Sequence, residues 1–199
     1  MRLLATLSSK WSRLDPAVRY AAYGAAGLVG LALLYAVATR DEGIMPETLR
    51  LNAPGAAKSE PIIARLHVSI QQMARTLLEQ AWGIGIGLVV TQGYRTLEEQ
   101  ERLYQQGRTT PGPIVTNAKP GSSLHNFGLA FDVAVVDEAG NPSWPNDAAL
   151  WRTIGEVGKS VGLEWGGDFN SYVDLPHFQH TGGYTLAEIA AGERPTVYA

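Results

Sequence analysis

A run of twenty residues without a charged side chain, from Tyr20 to Thr39, divides this 199-residue chain into unequal parts. A helix of that length can cross the ~30 Å hydrocarbon core of a bilayer. Four basic residues and one acidic residue precede the run, and such an excess of Lys and Arg marks the cytoplasmic side. The sequence therefore predicts a cytoplasmic segment at 1–19 and a single transmembrane or signal-anchor helix at 20–39 in the cell membrane, with the rest of the chain outside. A cleaved signal peptide and a buried core helix are the alternatives.

The residues after this run predict a tether followed by one domain. Residues 40–59 carry prolines and glycines without a sustained hydrophobic period, which is typical of a linker. The remaining residues, 60–199, match the common size of a single domain. The sequence therefore places the functional part of the chain in 60–199.

The hydrophobic patterns of residues 60–199 mix helices with strands. Apolar residues recur at helical spacing over 61–82, with Pro61 in the first turn, and again over 147–163. A buried strand that ends at Arg95 precedes a helix capped by Thr96, and another strand covers 129–136. Because these elements do not follow a regular strand–helix–strand repeat, we predict an α+β fold.

Composition limits the chemistry that the domain can perform. The chain has no cysteine, so any bound metal must be held by His, Asp or Glu. Its net charge of −3 gives no sign of the clustered basic face that nucleic acids require, and we expect no nucleic-acid partner.

Two short stretches each place a histidine near an aspartate. Asp132 lies on the polar face of the strand LAFDVAVV, and His125 lies seven residues upstream, across a glycine bend. In YVDLPHF, Asp174 precedes His177 by three residues. Two histidines and one carboxylate are a recurrent ligand set for catalytic zinc, with a separate carboxylate as general base. Taken singly, each of these residues has an ordinary structural interpretation; taken together, they predict a Zn²⁺ site made by His125, Asp132 and His177, with Asp174 beside it as the base.

These stretches resemble the zinc peptidases of bacterial cell walls. SSLHNFGLAFDV contains the pattern S-x-H-x-x-G-x-A-x-D, and YVDLPHF contains an acidic residue three positions before a histidine. That family includes D-alanyl-D-alanine carboxypeptidases and dipeptidases, and the L-alanyl-D-glutamate endopeptidases common among phage endolysins. The resemblance implies a small, mainly antiparallel sheet flanked by helices, as in hedgehog domains. It also implies that Arg95 stabilises the oxyanion or orients the substrate, and that Ser123 contacts the peptide or holds the His125 loop.

The resemblance further implies that the substrate is the stem peptide of peptidoglycan, cleaved in cell-wall lysis or remodelling. Asp174 stands where the carboxypeptidase and dipeptidase branches usually carry Glu and where the L-alanyl-D-glutamate branch carries Asp. This difference favours an endopeptidase. A D-alanyl-D-alanine carboxypeptidase and an inactive, zinc-containing cell-wall binding module are the alternatives.

Overall fold

A five-stranded antiparallel sheet forms the centre of the computed structural model, which describes residue 53 and residues 55–137, 141–170 and 172–196. The strands are β1 (Leu88–Gln92), β2 (Ala130–Val136), β3 (Pro142–Ser143), β4 (Glu164–Trp165) and β5 (His177–Gln179). They follow the order β1-β2-β5-β4, and β3 pairs with β2 at the end that β5 leaves free.

Helices cover the sheet in the described part of the chain. They are α1 (Ala56–Ile63), α2 (Val68–Gly83), α3 (Leu97–Gln105), α4 (Ala148–Ser160) and α5 (Leu186–Ala191), with 3-10 helices at Leu124–Phe127 and Gly166–Asp168. Helices and antiparallel strands are therefore mixed along the chain, which confirms the predicted α+β class.

The main hydrophobic core lies between the sheet and helices α1, α2 and α4. Phe131, Val133 and Val135 of β2 are buried in it, as the alternation along this strand predicts. Phe131 stacks on Phe178 of β5 with ring centroids 5.9 Å apart. These contacts fix the register of β2 and β5, and they leave Asp132 on the other face of the sheet.

The predicted single helix over 61–82 is wrong, because two helices occupy this region. Pro61 lies inside α1, and the chain leaves the helical path between Ile63 and Val68. The His67 side chain caps the start of α2 by accepting a hydrogen bond from Ser69 N. The backbone N–H of His67 donates to the Gly128 carbonyl at 2.9 Å. The break in the helix therefore lets the main chain hold the loop that carries His125.

The strand predicted to reach Arg95 ends at Gln92. The pairing of β1 with β2 is irregular between Val90 and Gln92, and its last pair is Gln92 with Asp132. The predicted cap of the following helix is confirmed, since Thr96 and Glu99 form a capping box at the start of α3.

The predicted membrane segment at 20–39 and the segment at 1–19 lie outside the described residues, as does most of the predicted tether. Among the residues that the structure does describe, no helix has both the length and the apolar character needed to span a bilayer. Helix α1 begins at Ala56, within the predicted tether, and the Ser59 hydroxyl accepts a hydrogen bond from Val90 N at 2.8 Å.

Candidate metal centre

Three polar side chains form a row across the middle of the sheet. The register pairs Gln92 of β1 with Asp132 of β2, and Asp132 with His177 of β5. Directly paired residues of antiparallel strands point to the same face of the sheet. The fold thereby brings His177 beside Asp132, although 45 residues separate them in sequence.

The loop before β2 adds His125 to this row. His125 lies on the 3-10 helix Leu124–Phe127, which ends at Gly128 with a φ of 68°. A Cβ at position 128 would lie 2.8 Å from the His67 backbone nitrogen, so glycine is required there for space as well as for conformation. The neighbouring Asn126 donates to the Arg95 carbonyl at 3.0 Å, and Arg95 N donates to the His125 carbonyl at 3.0 Å. The loop is thus tied to the end of β1.

His125, Asp132 and His177 form a compact cluster. Asp132 Oδ1 lies 3.1 Å from His177 Nδ1 and 3.5 Å from His125 Nε2. One ligand atom from each residue falls within 4.8 Å of the other two, a spacing that suits a shared metal ion. The structure therefore brings together the three residues predicted as metal ligands.

The cluster keeps its carboxylate ionised. Burial opposes ionisation of Asp132, but the hydrogen bonds from His125 and His177 outweigh it and hold the pKa of Asp132 well below its usual range. Burial also opposes protonation of His177, but its hydrogen bond to Asp132 prevails and raises the pKa of the imidazole. Asp132 is therefore a permanent negative charge at the centre of the cluster.

The second nitrogen of each imidazole is committed to a protein acceptor. His125 Nδ1 donates to the Gly93 carbonyl at 2.8 Å, so its Nε2 is the nitrogen that faces Asp132. His177 Nε2 lies 3.1 Å from Gln179 Oε1, which leaves Nδ1 to face the cluster. Metal-binding histidines in proteins are oriented by such partners, so this donor set fits a divalent cation that prefers nitrogen and oxygen ligands.

Glu164 fixes which end of the Gln179 amide faces His177. Gln179 Nε2 donates to Glu164 Oε2 at 2.8 Å, and a carboxylate can only accept, so Gln179 Oε1 must point to His177. Sequence reasoning missed this pair. Alternation along an extended strand could have placed Gln179 on the same face as His177, but the role of Glu164 depends on the register of β4 against β5.

Asp174 lies beside the cluster and is not one of its three members. Its backbone N–H donates to the Gly166 carbonyl at 3.0 Å, and its carbonyl accepts from His177 N at 3.1 Å. A Cβ at Gly166 would lie 2.4 Å from the Asp174 carbonyl oxygen, so glycine allows this close approach. Burial raises the pKa of the Asp174 carboxyl, and the nearby charge of Asp132 raises it further. Asp174 is therefore a carboxyl group close to the predicted ligands but outside their cluster.

The two other predicted site residues, Arg95 and Ser123, both adjoin the 3-10 helix that carries His125. The Arg95 guanidinium donates to Gln100 Oε1 at 2.9 Å and to Gln92 Oε1 at 3.4 Å, which places it next to the polar row. Its Nε is buried and has no acceptor among the described residues. Ser123 is half-buried at the start of the 3-10 helix, and its hydroxyl does not cap that helix. The roles of Arg95 and Ser123 stay predictions.

Sequence comparison relates the chain to known peptidases. The family model described as D-alanyl-D-alanine carboxypeptidase matches residues 116–180. The peptidoglycan L-alanyl-D-glutamate endopeptidase CwlK of Bacillus subtilis (strain 168) is 38% identical over 135 residues, covering 64% of this chain and 81% of CwlK.

Two solved structures are similar to this chain at lower identity. The L-Ala D-Glu endopeptidase ChiX of Serratia marcescens is 23% identical, with a TM-score of 0.49, and the match covers 67% of this chain and 91% of ChiX. A Zn(II) complex of the vancomycin resistance D,D-pentapeptidase VanY is 20% identical, with a TM-score of 0.45, over 65% of this chain and 80% of VanY.

Proposed function

Because the chain belongs to the M15 family of peptidoglycan-cleaving metallopeptidases, we propose that it is a zinc-dependent L-alanyl-D-glutamate endopeptidase. The observation that carries this proposal is the cluster of His125, Asp132 and His177, with the carboxyl of Asp174 next to it. The relative CwlK supports the choice of scissile bond, as does the presence of aspartate at position 174.

The proposed reaction gives each residue a separate task. His125, Asp132 and His177 would hold the zinc ion, which supplies a Lewis acid that activates water and polarises the scissile carbonyl. Asp174 takes a proton from the attacking water and delivers it to the leaving amine. Arg95 donates a hydrogen bond where negative charge develops on the carbonyl oxygen. Ser123 contacts the peptide or holds the His125 loop in place.

A digest of purified muropeptides by the zinc-loaded protein tests this proposal. We expect new peptides that begin with D-glutamate, detected by mass spectrometry, and no such products when a chelator is present. Release of free D-alanine would instead identify a D-alanyl-D-alanine carboxypeptidase, the second candidate, which the family model over residues 116–180 favours. Intact muropeptides would point to a cell-wall binding module without activity.

The proposal includes a tether to the cell membrane through residues 20–39, with the peptidase domain outside. The uncharged run and the basic residues before it support this part of the proposal. Fractionation of cells that express the full chain, compared with a chain lacking residues 20–39, tests it. Recovery of both chains in the same soluble fraction would rule the tether out.

Replacement of Glu164 by glutamine should weaken zinc binding without removing a ligand. The new amide can donate to Gln179 Oε1, which frees the Gln179 amide to turn its NH₂ group towards His177. That orientation favours a proton on His177 Nδ1, the nitrogen that faces Asp132. We expect the zinc affinity to fall by about 10- to 100-fold, measured by competition with a chromophoric chelator.

Glu156→Gln is the matched control for this change, because Glu156 is an exposed residue that pairs with Lys159 on α4. It should leave the zinc affinity unchanged. An equal zinc affinity for Glu164→Gln and the wild-type protein would show that the orientation of Gln179 does not govern the site.

A further inference from the structure

A pocket of about 620 Å³ opens beside the metal centre, on the side of β1. It lies between the end of α1, the residues that follow β1, and the outer face of α3. Its charged lining residues are Arg65, Arg95, Arg102 and Glu99. The volume falls in the range of sites that bind small ligands or short peptide segments.

Among the described residues, the pocket carries an excess of positive charge that no carboxylate neutralises. In the described part of the chain, none of its three arginines forms an ion pair with a carboxylate. The one acid, Glu99, already accepts a hydrogen bond from Thr96 N at 2.8 Å. Arg65 lies over the Tyr94 ring with its guanidinium carbon 5.5 Å from the centroid. Because the chain as a whole has a net charge of −3, this local excess of cations is a specific feature of the pocket.

Two residues that line the pocket, Gln92 and Gly93, also contact or pair with residues of the metal centre. Gln92 lines the pocket and is the residue of β1 that pairs with Asp132. Gly93 lines it as well, and its carbonyl accepts the hydrogen bond from His125 Nδ1. The pocket therefore adjoins the metal centre through Gln92 and Gly93.

We propose that this pocket binds the free carboxylates of the stem peptide on the D-glutamate side of the scissile bond. This inference rests on the proposed function and adds the direction in which the substrate lies. The stem peptide is joined to the glycan through the amino group of its L-alanine, so every free carboxylate follows the L-alanyl-D-glutamate bond. Arginine guanidinium groups bind carboxylates with paired, charge-assisted hydrogen bonds. The leaving half of the peptide thus occupies the cationic pocket, and the half joined to the glycan lies on the opposite side of the metal centre.

Two synthetic peptides and three variants of the full chain test the inference. The peptides are N-acetyl-L-alanyl-γ-D-glutamyl-L-alanine with both carboxylates free and the same peptide with both carboxylates amidated. The variants are Arg102→Gln, Arg65→Gln and, as matched control, Arg152→Gln, which replaces an exposed arginine on α4 outside the pocket. Release of N-acetyl-L-alanine gives kcat/KM for each pair of protein and peptide.

We expect the wild-type protein and Arg152→Gln to cleave the free acid at least about tenfold more efficiently than the diamide. Arg102→Gln and Arg65→Gln should lower kcat/KM for the free acid about tenfold and leave the diamide unchanged, so that the preference disappears. Equal cleavage of both peptides by the wild-type protein, or equal losses on both peptides in the pocket variants, would overturn the inference and leave the proposed function standing. Cleavage of neither peptide by the zinc-loaded wild-type protein would overturn the proposed function, and the inference with it.

Discussion

Asp174→Asn should keep the zinc content of the protein and lower kcat by about two to four orders of magnitude. Asparagine has the same shape as aspartate but cannot take a proton from water or return one to the leaving amine. The backbone contacts of Asp174 with Gly166 and His177 do not involve its side chain, so they persist in the variant. Zinc content by mass spectrometry and turnover of a stem-peptide substrate are the two measurements.

Asp147→Asn serves as the control for this change. Asp147 caps α4 on the protein surface, and asparagine caps a helix as well as aspartate does, so activity and zinc content should both stay at wild-type values. A fall in zinc content that parallels the fall in turnover of Asp174→Asn would place Asp174 among the ligands. The role of general base would then be wrong.

The parts of the fold that were predictable from sequence are those that depend on local patterns. The alternation in LAFDVAVV places Phe131 in the core and Asp132 on the opposite face, and both placements are confirmed. Thr96 and Glu99 stand at the spacing of a capping box and form one. The three ligand candidates could be chosen because a cysteine-free chain offers few other groups for zinc.

The parts that escaped prediction depend on pairing between distant segments. Glu164 orients Gln179 only because β4 lies against β5, and no local pattern encodes that register. At the break between α1 and α2, His67 N donates a hydrogen bond to the carbonyl of Gly128, which lies in a separate loop. The pocket likewise joins Arg65 to a separate segment that carries Arg95, Glu99 and Arg102, and only folding brings the two segments together.

His177→Ala should abolish both zinc binding and turnover. His177 supplies the only candidate ligand from β5 in the three-residue cluster, and it is the nearer of the two imidazoles to Asp132. Loss of a partner that only orients a metal ligand already costs about 10- to 100-fold in affinity, so loss of the ligand itself should cost at least a hundredfold. Chelator competition measures the affinity, and the muropeptide digest measures the activity.

His180→Ala is the control for His177→Ala, because it removes a histidine next to β5 that is not a predicted zinc ligand. His180 lies three residues after His177, its Nδ1 is 3.2 Å from the Gly162 carbonyl, and it is not a member of the cluster. The His180→Ala variant should therefore keep the zinc affinity and the turnover of the wild-type protein. Full zinc occupancy in His177→Ala would mean that His125 and Asp132 bind the ion without β5, and the pairing of β2 with β5 would then lose its part in building the centre. Loss of zinc in both variants would instead show that binding depends on the packing of β5 and not on the imidazole of His177.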